Sequence, residues 1–303
     1  MSVALIVIYN HRYDRNIPVV ENIYRDRFSD IYHVVPFYDG DRPNVIPVYE
    51  HSFYFQGYIA QAARFFVKAQ YDHYFFVADD MVLNPEVNEH NYRTYLRLDE
   101  QSSYISAFLT LHEVQASWPW TQRAYAYQMK KRGVEVEKEI PSYDEALAKF
   151  RKFGLTIEPL AFDKLYPAKW HMSPGGMISF LKNRIVKYRY RFHGKKLELV
   201  YPLVGAYSDI FVVSAQAIKK FCHYCGVFAA TELFVEIAIP TALVLSSEKI
   251  VLEQDVRLQG MAMWTEEDRM IVAKYNNNLQ ALLADFPPNF LYLHPIKLSQ
   301  WKT

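Results

Sequence analysis

Tyr74-Phe75-Phe76-Val77-Ala78-Asp79-Asp80-Met81-Val82-Leu83 decides how this chain is read. Four bulky apolar residues run without a break into two adjacent carboxylates, and the chain then turns apolar again. An unbroken apolar run of this length fits a strand covered on both faces, as in a parallel sheet with helices on either side. Carboxylates at the end of such a strand are costly unless they are solvated, paired or bound to a cation. Hard divalent cations prefer carboxylate oxygens and bridge phosphates, so a strand-end acidic pair suits metal-assisted group transfer. The plainer alternative is a solvated turn.

Outward from this stretch, strands and helices alternate. Ala4–Tyr9 (ALIVIY) and Ile31–Phe37 (IYHVVPF) are expected strands, with a helix between them over Val19–Arg27. Tyr54–Ala69 is an expected helix, with Gly57, Ala60 and Ala63 permitting close packing on the sheet, and Ser103–Leu111 is a fourth strand. Alternation of this kind implies right-handed crossovers and a mostly parallel α/β sheet of Rossmann type. Ligands of such sheets bind at the carboxyl ends of the strands, which is where Asn10, Asp39, Asp79 and Asp80 fall. Ser142-Tyr143-Asp144-Glu145 reads as a capping box opening a helix that Gly154 ends. Further on, Ile210–Val213 and Ile250–Leu252 read as strands. Ala215–Cys222, Glu232–Ile239 and Glu266–Leu283 read as helices, the second capped by Thr231. The chain divides into a half at 1–112 and a half at 113–303, within a single domain.

The formal net charge of +1 argues against a dedicated nucleic-acid binder. Tyr, Phe and Trp make up 16% of the chain. Most such rings fill cores, and the excess also suits a carbohydrate enzyme, because sugar rings stack on aromatic faces. Cys222 and Cys225 alone are too few ligands for a structural zinc site and are expected to be ordinary thiols in a reducing compartment. With no signal-peptide pattern and no long apolar run, the protein is expected to be cytoplasmic. Lys182–Lys196 holds Lys182, Arg184, Lys187, Arg189, Arg191, Lys195 and Lys196, with no acid among them. This stretch is expected to touch an anionic membrane surface on the cytoplasmic side, the alternative being a solvated face.

The strand–helix–strand first half, with its apolar strand feeding Ala78-Asp79-Asp80, resembles the nucleotide-sugar-binding half of GT-A glycosyltransferases and their DxD motif, here with Ala78 in the first position. The resemblance implies transfer of a sugar from a nucleotide-sugar, of UDP type, onto a glycan or lipid-linked glycan, with Mn²⁺ or Mg²⁺. It assigns Asp80 to the metal and Asp79 to the ribose or the metal. Tyr9, Asn10 and Asp39 would cradle the base and ribose. His294, in the tail Leu291-Tyr292-Leu293-His294-Pro295-Ile296-Lys297, is similar to the late His that completes such metal sites, with Lys297 on the phosphates. Gly205–Phe211 and Gly226–Glu236 look like the acceptor half. There the small residues Gly226–Thr231 would leave room for a sugar. Glu232 is expected to be the catalytic base, with Glu236 and Asp209 in reserve. A helix N-terminus would keep Glu232 ionised.

Two other readings remain open. A nucleotidyltransferase would carry a glycine-rich basic loop after the first strand, where this chain has Asn10-His11-Arg12-Tyr13. A non-catalytic nucleotide- or sugar-binding scaffold would make the acidic pair and His294 coincidental.

Overall fold

β1 (Val3–Ile8) is buried at every position. Its alternate residues serve two cores: Ala4, Ile6 and Ile8 face one layer, and Val3, Leu5 and Val7 the other. That is what period-two geometry does to an all-apolar strand in the middle of a sheet. The computed structural model describes residues 2–166, 178, 180–182, 184, 185, 188 and 197–302.

A seven-stranded sheet runs in the order β3 (Val45–Val48), β2 (Asp30–Pro36), β1, β4 (His73–Ala78), β7 (Ile210–Ser214), β6 (Ser102–Ile105) and β8 (Lys249–Leu252). Only the pairings of β7, with β4 and β6, are antiparallel. The expected mixed, mostly parallel α/β sheet is therefore present. β7 and β8 come from the second half of the chain, so both halves share one sheet. A second sheet joins β5 (Val82–Leu83), β10 (Phe290–His294) and β9 (Gln259–Ala262). In β9, a Cβ on Gly260 would overlap the Tyr292 ring, which only glycine avoids.

The helices of six residues or more are α1 (Ile17–Tyr24), α2 (Gln56–Phe66), α3 (Thr121–Ala126), α4 (Tyr143–Lys152), α5 (Ile218–Ala230), α6 (Val235–Ser246), α7 (Glu266–Ala273) and α8 (Leu279–Ala284) among the described residues. α4 opens on the expected capping box, with Ser142 and Glu145 exchanging side-chain and backbone bonds, and Gly154 follows it at φ +71°.

Several expected elements differ. Gly57 and Ala60 admit α5 and not the sheet: Cβ positions at Gly57 and Gly226 would lie 3.1 Å from Ala229 Cβ and 3.4 Å from Ala60 Cβ. The helix expected to stop at Cys222 continues to Ala230, because Phe221, Cys225 and Phe228 extend its buried face. Gly226–Ala230 is thus helix and leaves no loop for a sugar. Thr231 ends α5 instead of opening the next helix, and its hydroxyl bonds back to Val227 O at 2.9 Å. α6 starts only at Val235. The strand from Ser103 ends at Ile105, and the chain then leaves the sheet to pair Leu109 with Gly205. The single helix expected over 266–283 breaks at Asn276 and Asn277, both left-handed (φ 49° and 55°), a conformation asparagine tolerates. Asn278 then caps α8.

The loop expected at Ser173–Gly176 lies outside the described residues, as do Lys187, Arg189, Arg191, Lys195 and Lys196 of the basic stretch. Among the described residues no helix is long and apolar enough to cross a membrane.

Candidate active site

Three backbone arrangements bring acids from distant parts of the chain to one place. β4 delivers Asp79 and Asp80, and the Asp79 N–H donates to Ile8 O at 3.0 Å. β7 runs antiparallel beside β4, so Asp209 sits next to Ala78, whose N–H donates to Asp209 O at 2.9 Å. β5 continues past the acidic pair and binds β10 with Val82 opposite Leu293. That register puts His294 over Asp80, and the Ile296 N–H closes the link by donating to Asp80 O at 2.6 Å.

His294 Nε2 lies 3.1 Å from Asp80 Oδ1, and Nδ1 lies 3.8 Å from Asp209 Oδ2. Asp80 Oδ1 is buried yet has no well-directed hydrogen bond. An unsatisfied buried carboxylate oxygen is expensive, and a cation would satisfy it. Among the described residues no three His, Cys, Asp or Glu side chains converge tightly enough to hold a metal by themselves. Asp80 and His294 supply a pair, which leaves positions for ligand oxygens or water.

Burial raises the Asp79 pKa to about 7, the Asp80 charge adding to it. The Asn16 side chain and the Asn10 backbone oppose this shift by bonding to the carboxylate. Burial also raises Asp209, against the pull of His294. For His294, burial favours the neutral ring, but Asp80 and Asp209 outweigh it and raise its pKa.

α6 contributes Glu236, in its first turn. Glu236 Oε2 is buried with no hydrogen-bond partner. Burial, then the charge of Asp209, lifts its pKa to about 8. A helix N-terminus alone would lower it, so here burial wins. Pro240, one turn along α6, has no N–H to give the Glu236 carbonyl. The Ala206 N–H takes that place at 2.9 Å, tying α6 to the segment that carries Tyr207 and Asp209.

A narrow crevice of about 10 Å³, lined by Asn10, Phe55, Ala78, Ser208 and Asp209, lies beside these groups. Two exposed aromatics lie in a row outward from His294. Trp264 stands edge-on to His294 at 5.8 Å between ring centres, and Tyr207 lies 6.4 Å from Trp264. Trp264 stands in no recognisable motif, whereas Tyr207 falls within Gly205–Phe211, the stretch that looks like the acceptor half.

Other expected site residues sit apart. The Tyr9 side chain is fully buried, and its hydroxyl is 3.0 Å from His33 Nδ1. It therefore faces the core, because its position continues the inward alternation of β1. Asp39 is 76% exposed at the end of β2, paired with Arg12, which also binds Asp14 at 3.0 Å and Phe37 O at 3.1 Å. Arg12 holds the Asp39 carboxylate below its usual range. Lys297 is exposed one residue beyond Ile296, with no ion-pair partner among the described residues. Glu232 is not in a helix. It occupies a left-handed turn (φ 56°), 58% exposed and paired with Lys131.

No protein-family model matches the chain, and no curated protein matches it. Similar solved structures include the apo structure of the bifunctional glycosyltransferase WbbM, with TM-score 0.37 and 10% identity, over 97% of this chain and 45% of that one. Another is the mannosyltransferase Ktr4p from S. cerevisiae, with TM-score 0.34 and 10% identity, over 84% of this chain and 69% of that one. The chain thus spans under half the length of the first. Likeness this distant carries no argument about activity; the placement of Asp79, Asp80, Asp209, Glu236 and His294 does.

Proposed function

We propose that this protein is a GT-A-type glycosyltransferase, moving a sugar from a nucleotide-sugar of UDP type onto a glycan or lipid-linked glycan. The observation that carries the reading is the convergence of Asp79-Asp80, Asp209, Glu236 and His294 at the carboxyl end of β4. Their unsatisfied oxygens fit a cation and a reacting hydroxyl. Mn²⁺ or Mg²⁺ would be held by Asp80, with His294 and Asp79 in support, and would neutralise charge on the departing diphosphate. His294 favours Mn²⁺, since imidazole suits transition metals better than Mg²⁺. Asn10 and Asn16 fix Asp79 from the donor side. Trp264 and Tyr207 offer rings for a sugar face.

In a direct displacement, the acceptor oxygen bonds to the anomeric carbon as the bond from that carbon to the phosphate oxygen breaks. Glu236 takes the acceptor's proton. A base poised near the working pH does this best, and Glu236, raised to about 8, meets that condition. Glu232 has its charge committed to Lys131 at the surface. The test is transfer from a panel of nucleotide-sugars with Mn²⁺. Turnover with one donor, lost in Asp80→Asn, supports the reading, and no turnover or Mn²⁺-dependent binding with any donor refutes it.

A membrane-bound acceptor is favoured by one further observation. Ile178, Leu181, Ile185 and Tyr188 are each more than half exposed and recur at spacings of three and four in helical backbone, with Lys182 and Arg184 between them. This is the pattern of a basic amphipathic helix lying on an anionic surface, here the inner face of a membrane. Equal co-sedimentation with neutral and anionic vesicles would contradict it.

A further inference from the structure

A second, open depression of about 300 Å³ has a lining that includes Tyr54, Arg123, Lys131, Glu232 and Phe234. Arg123 projects from α3 into a cage of three rings. Its guanidinium carbon lies 4.7 Å from the centre of Phe53, 4.8 Å from Trp120 and 4.6 Å from Phe234. The rings themselves are locked together, with Trp120 and Phe234 centred 4.6 Å apart and Phe53 5.9 Å from Phe234.

Three aromatic faces orient a planar cation, but they satisfy none of its N–H donors. Among the described residues Arg123 has neither an acidic partner nor a hydrogen-bond acceptor. A half-buried guanidinium in this state is pre-positioned to receive an anion, because its fork is fixed before the anion arrives. Nearby charge agrees. Lys131 and Glu232 offset one another on the rim, which leaves Arg123 as the uncompensated charge of the depression.

Phe234 is the N-cap residue of α6, two residues before Glu236. Tyr54 lines this depression, and its neighbour Phe55 lines the crevice over Asp209. Adjacent residues of the same two segments thus line the depression and border the acids.

We infer that Arg123 and its aromatic cage form an acceptor subsite for an anionic sugar unit, one that carries a carboxylate or a phosphate ester. The assignment rests on the glycosyltransferase reading for the word acceptor, but its binding test does not need turnover. Tyr54 and Phe234, which line the depression, pack against the sugar, and the guanidinium receives the anion by a two-pronged contact.

Three soluble probes test this by titration calorimetry: a methyl hexuronide, a methyl hexoside 6-phosphate and the neutral methyl hexoside. One or both anionic probes should bind the unaltered protein about tenfold or more tightly than the neutral one. Which of the two prevails tells a uronic unit from a phosphorylated one. Arg123→Met keeps the apolar stem among the rings and should abolish the preference, leaving Mn²⁺-dependent UDP binding unchanged. Equal binding of all three probes to the unaltered protein overturns the assignment, as does an anion preference that survives Arg123→Met. The probe comparison on the unaltered protein stands even if the variant is unstable. Loss of UDP binding in the unaltered protein would instead strike the donor reading and leave the anion preference to be judged by itself.

Discussion

Asp39 and Asp80 both follow apolar strands of one parallel sheet, and the structure gives them opposite fates. Asp39 stands in solvent at the end of β2, tied to Arg12 and held below the usual carboxylate range. Asp80 stands at the end of β4, beside two other acids, with one oxygen buried and unsatisfied. The difference comes from the neighbours. β2 lies near the sheet edge with only β3 beyond it, whereas β4 is central and β7 and β10 close over its end. Solvent and a cation partner settle the first carboxylate, whereas the second faces the buried His294 ring at 3.1 Å with no well-directed hydrogen bond to its Oδ1. An acid after a strand is thus a signal whose meaning depends on strand order.

The sharpest way to break this contrast is a matched pair of substitutions. Asp80→Asn should lower transfer by roughly 10³-fold or more, as expected when a group that acts in the transition state is removed. Asp39→Asn should change kcat by less than about threefold, since the Asp39 carboxylate stands in solvent with only the exposed Arg12 as partner. Comparable losses in steady-state assays would erase the distinction.

The same contrast recurs between Glu236 and Glu232. Glu236→Gln should cut kcat by about 10²-fold or more, and Glu232→Gln by little. The pH dependence carries a sign. A base must be ionised, so the rate should rise with pH toward about 8, the value to which Glu236 is pushed. Stability runs the other way. A carboxyl whose pKa is raised on folding stabilises the fold most below its unfolded value, and that contribution is lost as pH rises through about 8. Asp79, raised to about 7, acts in the same direction. Thermal melting should therefore show Tm falling from pH 6 to 9, and Glu236→Gln should flatten the fall. A profile unchanged in the variant would place the titration elsewhere.

How much of this was legible depends on the kind of information each residue carries. β1 and the Tyr74–Ala78 part of β4 were legible because every residue in them is apolar, which leaves few alternatives for a short run. The capping box at Ser142 was legible because its signal is local. The pairing of His294 with Asp80 was reached through a resemblance, since nothing local in Leu291–Lys297 states that β10 pairs with β5. Tyr9 was misplaced because one more residue of alternation turned its ring inward to His33. Glu232 was ranked above Glu236 because both look alike near a helix start. A three-residue shift in that start moved one to a surface pair and the other beside Asp209. Trp264 carries no sequence signal, because its place beside His294 comes from the pairing of β9 with β10.

A finer test concerns Pro240. Restoring its N–H with Pro240→Ala lets α6 compete with Ala206 for the Glu236 carbonyl. The expected result is a three- to tenfold fall in kcat, of the size seen for small positioning errors, with Tm held or raised because alanine favours helix. A fall in Tm with kcat preserved would make Pro240 a packing residue only.

The proposed donor reading rests on a cation-and-diphosphate site built from Asp80 and His294. Mn²⁺ binding measured by electron paramagnetic resonance, with and without UDP, tests that site most directly. Two protein ligands leave the shell incomplete, so Mn²⁺ should bind weakly alone and about tenfold or more tightly with UDP. That gain should vanish in both Asp80→Asn and His294→Ala. Mn²⁺ affinity that is indifferent to UDP, or a gain that survives both substitutions, would contradict a metal site at Asp80 and His294.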